Sequence, residues 1–447
     1  MRQRRVPFSD KFWVACGTLV IFWLCRSAVC EGDGDQIARF IEAGIWFIRT
    51  EILSQAVFQI VYRICSVLRW DGLLVMNLVS CLSGAILVYF FLRIGEMVGE
   101  VRFALPVVLS SGFIVLACGH TEYYPQLLAA LAAWNWSCIR YLRGQGTLLL
   151  PSILFSLCVW LHQEALFAFP VQFLLLFFRR DRDRWIPWIL GLLPLGLLLI
   201  VRFVPHVTLL RLDGMSHGWN TVPLWTTEGT EKLYSMFEWA HWCDVLYALG
   251  QRSILAWPVI IIGLLVGRRC TGELAENDSL RKVRLFLFIE CACFWILCVV
   301  WHPNLGIEAD WDLFAVEAIP STILALSFIP RVAEGRVLCL CVVCAMLFSG
   351  LVTWQGIFER ARFGHRGRGN VEIQVQGSKD LLITFDGHQK GKEIASVLAG
   401  RHYLKLIDPV ERWKRDYIVL VAPGRSARVI VSNTPDVSPT QLPERDS

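Results

Sequence analysis

Long apolar runs recur from Phe12 to Trp354, commonly 15 to 25 residues each, and they limit this chain more than any other feature does. A helix of about 20 apolar residues crosses the roughly 30 Å hydrocarbon core of a bilayer, and no soluble core needs so many. With 55% hydrophobic and 18% charged residues among 447, the bilayer is the solvent that suits the chain. The expected fold is an all-α polytopic membrane protein of about eleven transmembrane helices. The spans are Phe12–Cys30, Gly72–Arg93, Phe103–Ala117, Pro125–Tyr141, Leu148–Leu161, Ala165–Phe178, Trp185–Phe203, Ser253–Val266, Leu285–Trp301, Leu313–Phe328 and Val337–Trp354.

The formal charge of +5 does not point to nucleic acid, because the basic residues cluster between apolar runs instead of forming one stripe. They act as topology signals. With the N-terminus cytoplasmic, Arg93/Arg102, Arg140/Arg143, Arg179–Arg184, Arg268–Arg284 and Arg331/Arg336 all fall on the inner face. The connections Gly119–Tyr124, His162–Glu164 and His302–Asp312 contain no Lys or Arg and read as extracytoplasmic. A bacterial cytoplasmic (inner) membrane is the expected location. The first apolar run also has the basic start of a signal peptide, but an uncleaved first helix is preferred because the segment after it looks functional. Most of the sixteen cysteines lie inside apolar runs and read as small packing residues.

The outer segments Glu31–Asp71 and Val204–Arg252 are long, and the first includes an expected interfacial helix from Glu51 to Trp70. Residues 1–354 form the expected membrane domain. Residues 355–434 form a small α/β tail outside the membrane, with strands at Val371–Val375, Leu381–Phe385, Tyr417–Ala422 and Ala427–Val431 and a helix around Lys392–Leu398. Residues 435–447 are Pro-rich and charged, and are expected to be disordered.

Four outer segments carry the residues suited to chemistry. Glu31-Gly32-Asp33-Gly34-Asp35-Gln36 follows the first helix; Asp33 and Asp35 could hold a divalent cation such as Mg or Mn, or supply a base, and a solvated turn is the other reading. Gly119-His120-Thr121-Glu122-Tyr123-Tyr124-Pro125 offers donors, acceptors and stacking faces, against an aromatic belt as the plainer alternative. His162-Gln163-Glu164 pairs an imidazole with a carboxylate at a helix end, either as a working pair or as a structural hydrogen bond. His302 to Asp312 includes Asp310 and Trp311, a carboxylate beside a face that can stack on a sugar ring; an N-capping loop accounts for Asp312 alone. All nine histidines fall on the same expected face.

Asp33-Gly34-Asp35 directly after the first helix resembles the acidic motif of the GT-C superfamily of polytopic glycosyltransferases, which includes protein mannosyltransferases and bacterial transferases that modify lipid A. The resemblance extends to the layout of about Met1 to Trp354. It implies transfer of a sugar from a polyprenyl-phosphate donor to a glycan, lipid or protein acceptor, with inversion. By that resemblance Asp33 or Asp35 is the general base, with Arg39 or Arg211 or a metal at Asp33/Asp35 balancing the phosphate. His120, Glu122, Tyr123, His162 and Glu164 would hold hydroxyls, and His302, Asp310 and Trp311 would line the sugar pocket. Two other functions fit the same surface: a transporter or flippase for a lipid-linked glycan or solute, and an O-antigen ligase or polymerase using the loop Val204–Arg252.

Overall fold

A computed structural model describes residues 8–27, 34–48, 51–98, 101–179, 184–203, 235–253, 255–269, 278–301, 314–333 and 336–362, together with seven strand segments between 368 and 432. Fourteen α-helices are found among these residues: α1 (Phe8–Leu24), α2 (Gly34–Glu42), α3 (Ile52–Cys65), α4 (Gly72–Val98), α5 (Val101–Ser110), α6 (Tyr124–Leu142), α7 (Leu149–Leu161), α8 (Phe169–Phe178), α9 (Trp185–Phe203), α10 (Trp239–Arg252), α11 (Ala256–Arg269), α12 (Asp278–Val300), α13 (Ala315–Ala333) and α14 (Arg336–Arg362).

The chain is an integral membrane protein by the length and apolarity of its helices. α4 and α12 are each long and apolar enough to cross a bilayer. His241–Arg252 and Ala256–Leu265 together pass as one span bent by 89°. The other apolar helices are shorter, so the described residues give two or three clear spans where eleven runs were read. Local breaks explain part of the difference. The run Phe103–Ala117 divides at Ser111, whose backbone is extended; Ser110 and Ser111 both donate their hydroxyls to Val107 O, and Gly112–Ala117 continues as a 3-10 helix. The run before Phe178 likewise starts as a 3-10 helix, Gln163–Ala168.

Ile186, Ile189, Leu193, Leu197 and Ile200 form an exposed stripe along α9, as expected of a face turned to lipid. Inside the bundle, Trp134, Phe155, Phe286, Phe294 and Phe314 are completely enclosed. Small residues bring elements close together. A Cβ on Gly72 would stand 2.7 Å from Ala38 O, so α2 lies directly on the start of α4. Lys11 Nζ meets Glu96 Oε1 at 2.7 Å and ties the N-terminal end of α1 to the C-terminal end of α4. Cys65, Cys81, Cys138, Cys158, Cys291, Cys293 and Cys298 are buried thiols, as expected of small packing residues.

A helix, α3, is found where an interfacial helix was expected, and it is followed by a short 3-10 turn, Ser66–Leu68. α2 precedes it as an amphipathic helix with Ile37, Ala38 and Ile41 buried. α14 runs through Trp354 to Arg362, beyond the boundary placed there from composition.

Seven strands follow: β1 (Arg368–Gln376), β2 (Leu382–Phe385), β3 (His388–Gln389), β4 (Glu393–Leu398), β5 (Gly400–Asp408), β6 (Trp413–Val421) and β7 (Ser426–Ser432). One sheet has the order β4-β1-β7 and the other β3-β2-β5-β6. The helix expected around Lys392–Leu398 is strand β4. β4 pairs antiparallel with β1, Val371 opposite Ile394 and Gly369 opposite Val397. That pairing overrides the helical preference of the Ala and Leu in this segment.

Candidate functional site

Three of the four segments expected to be extracytoplasmic lead to one buried polar cluster. Its centre is His162, the residue at which α7 stops. The His162 backbone is extended (φ −157°, ψ 134°), and its Nδ1 accepts the Glu164 backbone N–H at 3.4 Å, capping the 3-10 helix that follows. The cap turns the imidazole inward, where only 7% of the residue is exposed. With Nδ1 accepting, the ring proton sits on Nε2, 3.4 Å from Glu51 Oε1. Glu164 Oε2 lies 3.7 Å from Nδ1 on the other side of the ring. The imidazole therefore stands between two buried carboxylates.

Tyr124 completes this group. Its hydroxyl donates to Glu164 Oε1 at 3.4 Å, and its ring lies 5.0 Å from the His162 ring. Its neighbour Tyr123 donates to Gln55 Oε1 at 3.0 Å and packs against Phe58 at 5.5 Å. Gln55 in turn donates to Ile45 O at 2.7 Å. Ser54 donates to Leu161 O at 3.0 Å and holds α3 against the end of α7.

The segment from 119 to 124 is fixed in place by close backbone contacts. Gly119 has φ +79°, and a Cβ there would come 2.8 Å from Arg26 Cβ. The Ser27 backbone N–H donates to Cys118 O at 2.6 Å, and Asn77 donates to Gly119 O at 2.6 Å. The end of α1, the start of α4 and the loop leading to His120 therefore meet at one point. His120 and Thr121 are buried there, and Glu122 is half-buried.

α2 is attached to the same group. Ile37, Ala38 and Ile41 share a core with Phe58, Met76, Val79 and Tyr123. Gln59 of α3 donates through Nε2 to Phe40 O, Ile41 O and Ile45 O at 3.2, 3.0 and 2.9 Å. Asp35 is the second residue of α2, and Arg39 is exposed in its last turn. Asp33, His302, Asp310 and Trp311 lie outside the described residues, as does Arg211.

Glu51 was not singled out from sequence. It marks only the start of the interfacial helix there, and a lone acid at a helix start usually reads as favourable to the helix dipole. The structure buries it to 7% exposure with His162 as a partner. Two further buried acids were hidden within apolar runs. Glu290 Oε1 accepts from Asn135 Nδ2 at 2.9 Å, and Glu317 Oε2 accepts from Ser253 at 3.1 Å.

No family model matches the sequence, and no curated protein matches it. Two solved structures are similar: crystal structures of ArnT from Cupriavidus metallidurans in the apo state and bound to undecaprenyl phosphate. The first is 12% identical with a TM-score of 0.49, covering 72% of this chain and 59% of that one. The second is 11% identical with a TM-score of 0.49, covering 79% of this chain and 71% of that one.

A carboxylate, imidazole, carboxylate and phenol in mutual contact can pass or accept a proton and can orient hydroxyl groups. Among the described residues, no group of three His, Cys, Asp or Glu side chains is arranged to hold a metal ion.

Proposed function

We propose that the protein is a membrane glycosyltransferase that moves a sugar from a polyprenyl-phosphate donor to an acceptor hydroxyl or amine on the extracytoplasmic face. One observation carries this reading: the helix that continues the Asp33-Gly34-Asp35 segment packs on Tyr123, whose loop enters the Glu51–His162–Glu164–Tyr124 cluster. An acid pair after the first helix and a cluster of proton-handling groups are the parts such a transfer needs.

In the proposed reaction the acceptor oxygen attacks the anomeric carbon while the bond from that carbon to the phosphate oxygen breaks with inversion. The electron pair leaves on the polyprenyl phosphate, and the acceptor proton goes to Asp33 or Asp35. Arg39, or a Mg or Mn ion held by Asp33 and Asp35, would balance the phosphate charge. His120, Glu122, Tyr123, His162 and Glu164 would position hydroxyls, with His302, Asp310 and Trp311 lining the sugar pocket. Asp33→Asn and Asp35→Asn, each assayed in membranes with a polyprenyl-phosphate sugar, should leave expression unchanged; at least one should abolish transfer. Full activity in both variants rejects the assignment of the base.

A second reading, a transporter or flippase for a lipid-linked glycan, is favoured by one observation. Glu290 is completely buried inside the apolar helix α12, where ionisable groups often mark a transport path. Movement of a lipid-linked glycan across proteoliposomes without consumption of a sugar donor would select it.

A further inference from the structure

Glu317, in the first turn of α13, is completely buried, and Ser253 and Ser321 beside it are buried as well. Ser253 Oγ lies 3.1 Å from Glu317 Oε2 and 3.1 Å from Ser321 Oγ, and Ser321 Oγ lies 3.2 Å from Ala318 O. These three contacts have only two hydroxyl hydrogens to fill them. Glu317 Oε1 has no hydrogen-bond partner.

A carboxylate taken out of water needs a positive charge beside it. The groups that act on Glu317 among the described residues are Ser253, Ser321 and Trp295, and all three are neutral. Trp295 Nε1 is near the carboxyl but outside hydrogen-bond geometry. Arg252 precedes Ser253 in the chain, yet its guanidinium donates to Ala248 O at 2.7 Å, back along α10.

Ser253 is also where the helix breaks. α10 ends at Arg252, α11 starts at Ala256, and the two are bent by 89°. The C-terminal carbonyls of α10 and the negative end of its dipole face this bend. The first amides of α11 are already taken, because Ser253 O accepts the Ala256 and Trp257 backbone N–H at 2.9 and 3.5 Å. Helix ends of this kind can coordinate cations inside a membrane protein. A bare alkali ion is smaller than a water molecule and needs no water-sized cavity among such oxygens. One carboxylate also brings one negative charge, which matches a monovalent ion better than a divalent one.

We propose that Ser253, Glu317 and Ser321 form a binding site for one monovalent metal cation such as sodium, which ties the α10–α11 bend to α13. The site does not depend on the sugar-transfer reading. The bend in turn rests on the break in α5, since a Cβ on Gly112 would collide with Gln251 O. An ion at Glu317 therefore steadies the point at which two broken helices meet.

The test uses the purified full-length protein in detergent, melted in sodium chloride and in choline chloride of equal ionic strength. Sodium should raise the melting temperature by about 3 °C or more at saturation. Radioactive sodium should bind at one ion per chain, and Glu317→Gln should weaken that binding on the order of ten-fold or more, because it removes the one charge in the shell. Ser253→Ala and Ser321→Ala, which each remove one oxygen and keep the carboxylate, should reduce the sodium shift, and they serve if Glu317→Gln does not fold. Glu290→Gln removes another completely buried acid and should keep the full shift. Equal melting of the unmodified protein in sodium and choline overturns the proposal and leaves a proton as the charge balance for Glu317. A sodium shift that persists in Glu317→Gln, or in both serine variants at full size, overturns it too. Loss of the shift in Glu290→Gln as complete as in Glu317→Gln assigns the response to buried acids in general and also overturns it.

Discussion

His162 Nε2 lies 3.4 Å from Glu51 Oε1 across the junction of α7 and α3, joining a helix-ending residue to a helix-starting one. Removing the carboxylate leaves the buried His162 Nε2–H without this acceptor, a loss of about 1–3 kcal/mol. Glu51→Gln keeps the shape and removes the charge. It should lower sugar transfer about 100-fold, within the range for loss of a proton-handling partner, with near-normal expression. Glu51→Leu should in addition lower the melting temperature of the purified protein. Transfer in Glu51→Gln within a factor of two of wild type would remove Glu51 from the site.

Tyr124→Phe removes the hydroxyl bonded to Glu164 Oε1 but keeps the ring beside His162. The expected stability loss is about 1 kcal/mol, the usual net value of one hydrogen bond. A melting curve in detergent would register it as a small downward shift, much smaller than that of Tyr124→Ala, which also loses the ring contact.

Gly119→Ala should be disproportionately harmful for a single methyl group. The residue has φ +79°, and the new Cβ would lie 2.8 Å from Arg26 Cβ. The backbone conformation alone costs about 1–2 kcal/mol for an L side chain. Gly144 also has positive φ, but nothing lies within 4 Å of the position its Cβ would take. A larger fall in melting temperature for Gly119→Ala than for Gly144→Ala would separate the contact from the backbone strain.

Asn135→Leu should destabilise the bundle by leaving Glu290 Oε1 without its donor. Adding Glu290→Met should recover much of that loss, since replacing both partners by apolar groups is often close to neutral. A double-mutant cycle on melting temperature measures the coupling. Additive effects would show that the two side chains are energetically independent.

The spans that could be read from sequence were those in which an apolar run and a helix coincide. Gly72–Arg93 is found within α4 and Pro125–Tyr141 within α6, and the interfacial helix from Glu51 is α3. The break at His162 falls at the connection read there, where α7 ends at Leu161; the break at Ser111 was not legible, because it depends on serine side chains bonding to nearby backbone within an apolar stretch. Of the site, His120, Tyr123, His162 and Glu164 stood out because polar residues are conspicuous between apolar runs. Glu51 did not, since its partner is more than a hundred residues away in sequence and only the packing of α3 on α7 brings them together. β4 was misread for a similar reason: its local sequence leans to helix, and the edge of β1 decides otherwise.

Gln59 Nε2 has two hydrogens and three carbonyl oxygens within reach, from Phe40, Ile41 and Ile45. With one acceptor in excess of the available hydrogens, the loss of any one of these carbonyl contacts leaves both Gln59 hydrogens bonded, so the hold of α3 on the end of α2 does not depend on a single contact.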